Sequence, residues 1–191
     1  MRVNFSSNKK RIQMVNLRKN LTKNELKKVK ILYKRAFPKS ERKPFAMILR
    51  SCSEKKGEIY GIFENAKFVG LAITLNSPNA ILIDYLAILP KYRSKKIGGA
   101  VLANLMQIYE NKTIFCEIES TENLENFEES NKFRRKNFYL KNGFKNLDIK
   151  ISLWGVKMEL LSNFSKAKFD EYFEIYTYAY GENFKPKIKQ I

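Results

Sequence analysis

Hydrophobic residues fill nearly every position from Ile81 to Leu89, with Asp84 the one charged exception. That is the pattern of a strand covered on both faces, not of one with a wet side. Pro90 has no N–H to give a sheet ladder and ends the strand. A basic turn follows, Lys91 to Gly99, closed by two glycines, after which Ala100, Val101, Leu105 and Ile108 recur at helical spacing. Strand, turn and helix form a centre around which the other elements can be placed.

Upstream, Ile12, Met14, Val15 and Leu17 alternate weakly within Lys9 to Arg18 and suggest a first strand. Thr22 and Glu25 make a capping box. It should open a helix running to about Phe37, with Leu26, Val29, Leu32 and Tyr33 on one face and Pro38 as its stop. A second short helix follows Pro44, and Lys39 to Lys43 is the loop between the two. Glu58 to Phe63 and Lys67 to Leu75 read as a hairpin turning at Glu64-Asn65-Ala66.

Downstream, Thr113 to Glu119 is a strand, and the polar, acidic stretch Ser120 to Ser130 is a loop. Phe133 to Asn142 is a helix closed by Gly143, and Phe144 to Ile151 and Gly155 to Leu161 are the last strands. Phe169, Tyr172, Phe173, Tyr176 and Tyr180 form a helical aromatic stripe, over about 165–181, that should dock on the core. The basic residues after Phe184 read as a loose tail. The helix between the Ile81 and Thr113 strands makes them a parallel pair amid hairpins. The fold class is therefore α/β of the mixed α+β kind, a single domain over residues 1–191 with no internal repeat or linker.

Composition narrows the chemistry. With 191 residues, 44% of them hydrophobic and 13% aromatic, the chain can bury a real core. No apolar run approaches the roughly 20 residues of a bilayer span. Met1 to Arg11 lacks the apolar segment of a secretory signal, and two well-separated cysteines, Cys52 and Cys116, suggest reduced thiols and a cytoplasmic location. There is no histidine. That removes Ser-His and Cys-His nucleophilic pairs, and with two cysteines alone it removes the common zinc and iron sites, so no metal is expected. A general base must be a carboxylate, with Tyr, Lys or Cys as the acid.

The formal net charge of +18 calls for an anionic partner, or else reflects a compositional bias toward Lys. The Gly98 turn offers one such partner a place. The first N–H groups of a helix lack intrahelical acceptors and carry partial positive charge, so a pyrophosphate can rest on them. Gly98 and Gly99 have no side chains to hold it off, and Arg93, Lys95 and Lys96 add charge. On the turn alone, a helix start with a solvated basic rim fits as well.

Taken together, the stretch from Leu86 to Ala100 (Leu-Ala-Ile-Leu-Pro-Lys-Tyr-Arg-Ser-Lys-Lys-Ile-Gly-Gly-Ala) resembles the acetyl-coenzyme A motif of the GNAT N-acetyltransferase superfamily. That motif is Arg/Gln-x-x-Gly-x-Gly/Ala after an apolar strand and a Pro. Arg93 matches its first position and Gly98 its last, while Lys96 stands where the family usually has its first glycine. Asn137 to Phe144 resembles the family's Phe/Leu-Tyr-x-x-x-Gly-Phe segment, and Phe115 to Glu119 its acidic strand. The three occur in family order over about Ile59 to Phe144. The family's Asn after that acidic strand has no clear counterpart, although Asn131 is near.

The resemblance implies a GNAT-like fold, a central mixed, mostly antiparallel sheet with helices on both faces. It implies acetyl transfer from acetyl-coenzyme A to a primary amine in a direct ternary complex. Backbone groups of Leu86, Ala87 and Ile88 would then bind pantetheine, and Arg93, Ser94, Lys95, Lys96, Ile97, Gly98 and Gly99 the pyrophosphate. Glu117 best matches the acidic position and would be the base, with Glu119 in reserve and Asp84 third. An ion pair with a nearby Lys or Arg is the plainer reading of Asp84 and Glu119. Tyr139 would protonate the departing thiolate, and Arg134 and Arg135 could reach coenzyme A phosphates. Alternatives from other classes are a catalytically silent coenzyme A-binding module and a basic nucleic-acid-binding protein on the same scaffold. The acceptor amine is unread, no membrane partner is expected, and a homodimer stays open.

Overall fold

A computed structural model describes residues 15–122, 131–181 and 187–191. In order they form β1 (Val15–Arg18), α1 (Lys23–Ala36), α2 (Phe45–Ser53), β2 (Gly57–Glu64), β3 (Lys67–Asn76), β4 (Ala80–Ile88) and α3 (Ile97–Ile108). There follow β5 (Thr113–Glu119), α4 (Asn131–Lys141), β6 (Lys145–Leu153), β7 (Val156–Ser162), α5 (Phe169–Tyr180) and β8 (Ile188–Gln190). Part of the first-strand expectation, Lys9 to Met14, and most of the Ser120 to Ser130 loop lie outside the described residues.

The local signals act as the sequence pattern implies. Thr22 and Glu25 complete a reciprocal capping box on α1. Asn65 and Ala66 both take positive φ, +47° and +62°, which gives the β2–β3 turn the hand that suits a twisted hairpin. Gly143, at φ +92°, ends α4 while the Phe144 N–H closes back on the Tyr139 carbonyl at 3.2 Å.

The described strands make one sheet in the order β1-β2-β3-β4-β5-β7-β6-β8. All neighbours are antiparallel except β4 and β5, which run parallel. One face packs under α3 and α4, through Ile97, Val101, Leu105, Tyr139 and Phe144 against Ile81, Ile83, Cys116 and Ile118. The other face is covered by α1 and α2 over Ile73, Tyr85 and Ala87, and by α5 over Leu75, Leu82 and Phe115. The sheet is thus mixed and mostly antiparallel, with helices on both faces.

The C-terminal end corrects one expectation. The residues read as a loose tail include β8, whose Ile188, Lys189 and Gln190 pair with Leu153, Ser152 and Ile151 of β6. Ile188 is buried in the core beneath α5. A strand of three residues with two lysine-flanked positions carries no readable alternation, so only the open edge of β6 reveals it.

Two irregularities place the site. The β3–β4 register pairs Ile73 with Tyr85 but Thr74 with Ile83, so Asp84 is the extra residue of a bulge. The β4–β5 ladder runs from Ala80↔Thr113 to Ile83↔Cys116 and stops there. The bulge turns β4 away from β5, and Asp84 and Glu117 are the first residues of the two strands past their last pair.

Candidate active site

Beyond Ile83 the edge of β4 that faces β5 has no strand partner among the described residues. The Leu89 N–H bonds the Val69 carbonyl at 2.8 Å. By the alternation of an antiparallel ladder, Ala87 also faces β3, whereas Leu86 and Ile88 present their backbone groups to the gap. Arg93 donates from Nε to the Ile88 carbonyl at 3.1 Å, across the gap's outer end. Leu86, Ile88, Glu117 and Glu119 are all only half-buried, as expected for residues lining an opening.

At the start of α3 the first backbone bond runs from the Ala100 N–H to the Lys96 carbonyl, at 3.1 Å. The amides of Ile97, Gly98 and Gly99 before it have no partner among the described residues, and no side chain caps the helix. Three unsatisfied donors and a helix dipole beside an open strand edge suit a diphosphate attached to a linear, amide-bearing chain. Lys96 caps the helix at φ +60°, and Ser94 also has φ +60°. The place of the family's first glycine is therefore a left-handed one, where Lys carries a strain of about 1 kcal/mol.

The two glycines serve the helix pair before they serve any anion. A Cβ on Gly98 would stand 3.0 Å from the Phe138 ring, and one on Gly99 would stand 2.5 Å from Asn142 Oδ1. Both positions face α4, so their bareness lets α3 and α4 approach. The anion site comes from the amides themselves.

On the other face of the fork lies a buried polar cluster. Glu117 Oε1 accepts hydrogen bonds from the Tyr172 hydroxyl at 2.6 Å and the Tyr176 hydroxyl at 2.8 Å. Lys43 Nζ donates to Asp84 Oδ1 at 2.6 Å and to the Tyr176 hydroxyl at 3.3 Å. The Lys43 and Asp84 side chains are 7% and 3% exposed. Burial pushes the Glu117 carboxyl above its ordinary range, with Lys43 opposing and Asp84 reinforcing the shift. Burial likewise raises Asp84, against the pull of Lys43. Asp84 Oδ2 is buried and accepts nothing among the described residues.

Lys43 is carried there by a pinned loop. The Tyr33 hydroxyl donates to the Lys43 carbonyl at 2.9 Å, and the Tyr85 hydroxyl accepts from the Lys43 N–H at 3.0 Å and donates to the Glu41 carbonyl at 2.9 Å. The rings of Tyr176, Tyr180, Tyr85 and Trp154 stand 4.8, 5.7, 5.8 and 5.9 Å from Nζ. Trp154 comes from the β6–β7 turn, so the early helices and the late strands both wall this side of the gap.

Residues 55–146 match the family model described as an acetyltransferase (GNAT) domain. Residues 55–146 are a GNAT acetyltransferase domain. Solved structures agree in fold. A GNAT-family acetyltransferase of Bacteroides thetaiotaomicron superposes with a TM-score of 0.69 at 18% identity, over 88% of this chain and 98% of that one. Arabidopsis thaliana Naa50, in complex with the bisubstrate analogue CoA-Ac-MVNAL, gives 0.58 at 19% identity, over 78% and 97%. The ribosomal-protein-S18-alanine N-acetyltransferase of Escherichia coli gives 0.57 at 16%, over 78% and 92%. A search of curated proteins gave no significant match.

Within the GNAT domain, the expected residues fall on two sides of the sheet. Leu86, Ile88 and the turn from Arg93 to Gly99 lie along the gap and at the α3 N-terminus. The backbone of Ala87 is engaged with β3 and does not line the gap. Tyr139 sits on α4, buried beside Phe138 and Phe144 at ring distances of 5.2 and 5.4 Å. Burial raises its phenol above the ordinary value, and nearby Cys116 adds to the rise, so it stays protonated. Glu117 and Tyr139 thus approach the fork from opposite faces of β5.

The ion-pair reading holds for the other two carboxylates. Glu119 pairs with Lys132 at 3.4 Å, and Asp84 with Lys43. Arg134 is exposed and bonds Asn131 Oδ1 at 2.6 Å, and Arg135 is exposed on the same helix. Lys43, Tyr172 and Tyr176 were not singled out from the sequence as site residues. All three lie outside the matched residues 55–146. Lys43 sits in a run of charges with no periodicity. The tyrosines at i and i+4 of the α5 stripe did signal a docked face, and their hydroxyls gave the missed hint that the face meets something polar.

Among the described residues no cluster of three or more His, Cys, Asp or Glu could hold a metal, and no helix is long and apolar enough to cross a membrane.

Proposed function

We propose that the protein transfers an acetyl group from acetyl-coenzyme A to a primary amine, by direct attack within a ternary complex. The observation that carries this reading is the parting of β4 and β5 after Ile83↔Cys116, with unpaired amides at one end of the gap and Glu117 at the other. Acetyl-coenzyme A supplies the thioester. The Ile97, Gly98 and Gly99 amides hold its diphosphate, and the backbone of Leu86 and Ile88 orients the pantetheine and polarises the carbonyl.

An ammonium cannot attack, so Glu117 takes its proton. A carboxyl lifted by burial is suited to that work near neutral pH. Tyr139, held protonated by its apolar surroundings, gives a proton to the leaving sulfur. The cytoplasm, where acetyl-coenzyme A is at hand, is the matching compartment. Two of the similar structures act on or bind peptide amines by their descriptions, which puts N-terminal amines in the first panel to try. The test is thiol release from acetyl-coenzyme A with a panel of peptide, polyamine and aminoglycoside acceptors, alongside calorimetric titration of the cofactor. Acceptor-dependent release supports the reading. Cofactor binding with no release over the whole panel would leave a binding module instead.

A further inference from the structure

Lys43 is a buried amine that the described structure places at the fork. Its Nζ spans the first unpaired residues of both parting strands, at 2.6 Å from Asp84 Oδ1 on β4 and one hydroxyl away from Glu117 on β5. The hydrogen bonds point one way. Nζ donates to the Tyr176 oxygen at 3.3 Å, and the Tyr176 hydroxyl donates to Glu117 Oε1 at 2.8 Å. That is the arrangement needed to take a proton from Nζ and set it on Glu117. Asp84, directly bonded, is a second acceptor, and its other oxygen has no partner among the described residues. Four aromatic rings within 6 Å and the pinned 39–44 loop hold the amine in place.

We propose that Lys43 is itself an acetyl acceptor, modified in cis by its own chain. The inference rests on the acetyltransferase reading above. In the step, Nζ gives one proton through Tyr176 to Glu117 and attacks the thioester carbon. The C–N bond forms, the C–S bond breaks, and the sulfur leaves with the proton of Tyr139. The acylated nitrogen sheds its second proton, and the products are Nζ-acetyl-Lys43 and free coenzyme A; of the two protons that Nζ has lost, one restores the phenol of Tyr139 and the other goes to solvent. Acetylation removes the cation that Asp84 and Glu117 share, so the fork's charge changes by one and the carboxylates lose their common partner.

Burial makes this distinguishable from chemical acetylation. A lysine whose side chain is 7% exposed should be among the last to react with acetyl-coenzyme A in solution, because the exposed lysines of this basic chain are open to it. The experiment incubates the purified full chain with acetyl-coenzyme A and follows each lysine by peptide mass spectrometry. Calorimetry of acetyl-coenzyme A runs in parallel on the same preparations.

The expected result is that Lys43 is labelled before the exposed lysines, at a rate independent of protein concentration. Glu117→Gln should slow Lys43 alone by about a hundredfold, the usual worth of a general base, and unfolding in urea should erase its lead. Lys43 already acetylated in the chain as purified, and not in Glu117→Gln, is the same result. Lys43→Arg keeps the charge and should bind the cofactor with no mark at residue 43. Cofactor binding with Lys43 labelled no faster than the exposed lysines overturns the inference and leaves the enzyme reading intact. No cofactor binding at all overturns both.

Discussion

Replacing Tyr176 by Phe removes one hydroxyl and keeps the ring that packs between Tyr172 and Tyr180. Glu117 then retains one donor, the Tyr172 hydroxyl at 2.6 Å, and Lys43 retains Asp84. A hydrogen bond to a charged group is worth about 1.5–3 kcal/mol, and a pKa unit corresponds to about 1.4 kcal/mol. Losing a bond that favours the carboxylate should therefore raise the Glu117 pKa further. The sign follows from its role. Glu117 acts as a base only when ionised, and its pKa is already lifted by burial. Raising it further moves the acid limb of kcat/KM to higher pH. Thiol release followed from about pH 5 to about pH 10 should show that limb displaced upward, with the alkaline plateau and acetyl-coenzyme A affinity near wild type. A limb that stays in place, in a folded variant, would show that the titrating base is not Glu117.

Three further outcomes are expected. Tyr139→Phe should lower kcat by about a hundredfold and leave acetyl-coenzyme A affinity unchanged by calorimetry, and equal turnover across the pH range would remove Tyr139 from the mechanism. Lys96→Gly should relieve the φ +60° cap and raise stability by about 1 kcal/mol, read as a higher midpoint in urea, and a lower midpoint would refute the strain. Glu159 accepts bonds from Lys136 and from the Thr121 N–H and hydroxyl. Burial pushes its pKa up, but those partners outweigh it and hold the pKa below the ordinary carboxylate value. Its contribution is then present above the unfolded-state pKa and lost as pH falls through the depressed folded one. Glu159→Gln should cost about 3 kcal/mol at neutral pH, with the difference from wild type closing in acid. A constant difference at every pH would contradict this.

The elements and the crossover were readable because their signals are local. Strict apolar filling marks β4, a capping box opens α1, and a glycine closes α4. The strand, turn and helix N-terminus proposed to seat the cofactor were readable as elements for the same reason, since they are contiguous in the chain. The buried polar cluster on the other face was not. Lys43, Asp84, Glu117, Tyr172 and Tyr176 come from a loop, two strands and the C-terminal helix, and only the bulge at Asp84 brings them together. No spacing rule reports a bulge in a strand that is apolar on both faces. The roles of Gly98 and Gly99 were misread in part, because the turn suggests an anion whereas the side they face is set by Phe138 and Asn142 on α4. β8 is legible only from the edge it covers.

The central claim is that the gap between β4 and β5 seats the cofactor with its diphosphate on the α3 amides. A crystal structure of the chain with coenzyme A tests it most directly. The account predicts diphosphate oxygens within hydrogen-bond distance of the Ile97, Gly98 and Gly99 N–H groups, and pantetheine alongside Leu86 and Ile88. Coenzyme A bound elsewhere, with those amides facing only water, would contradict it.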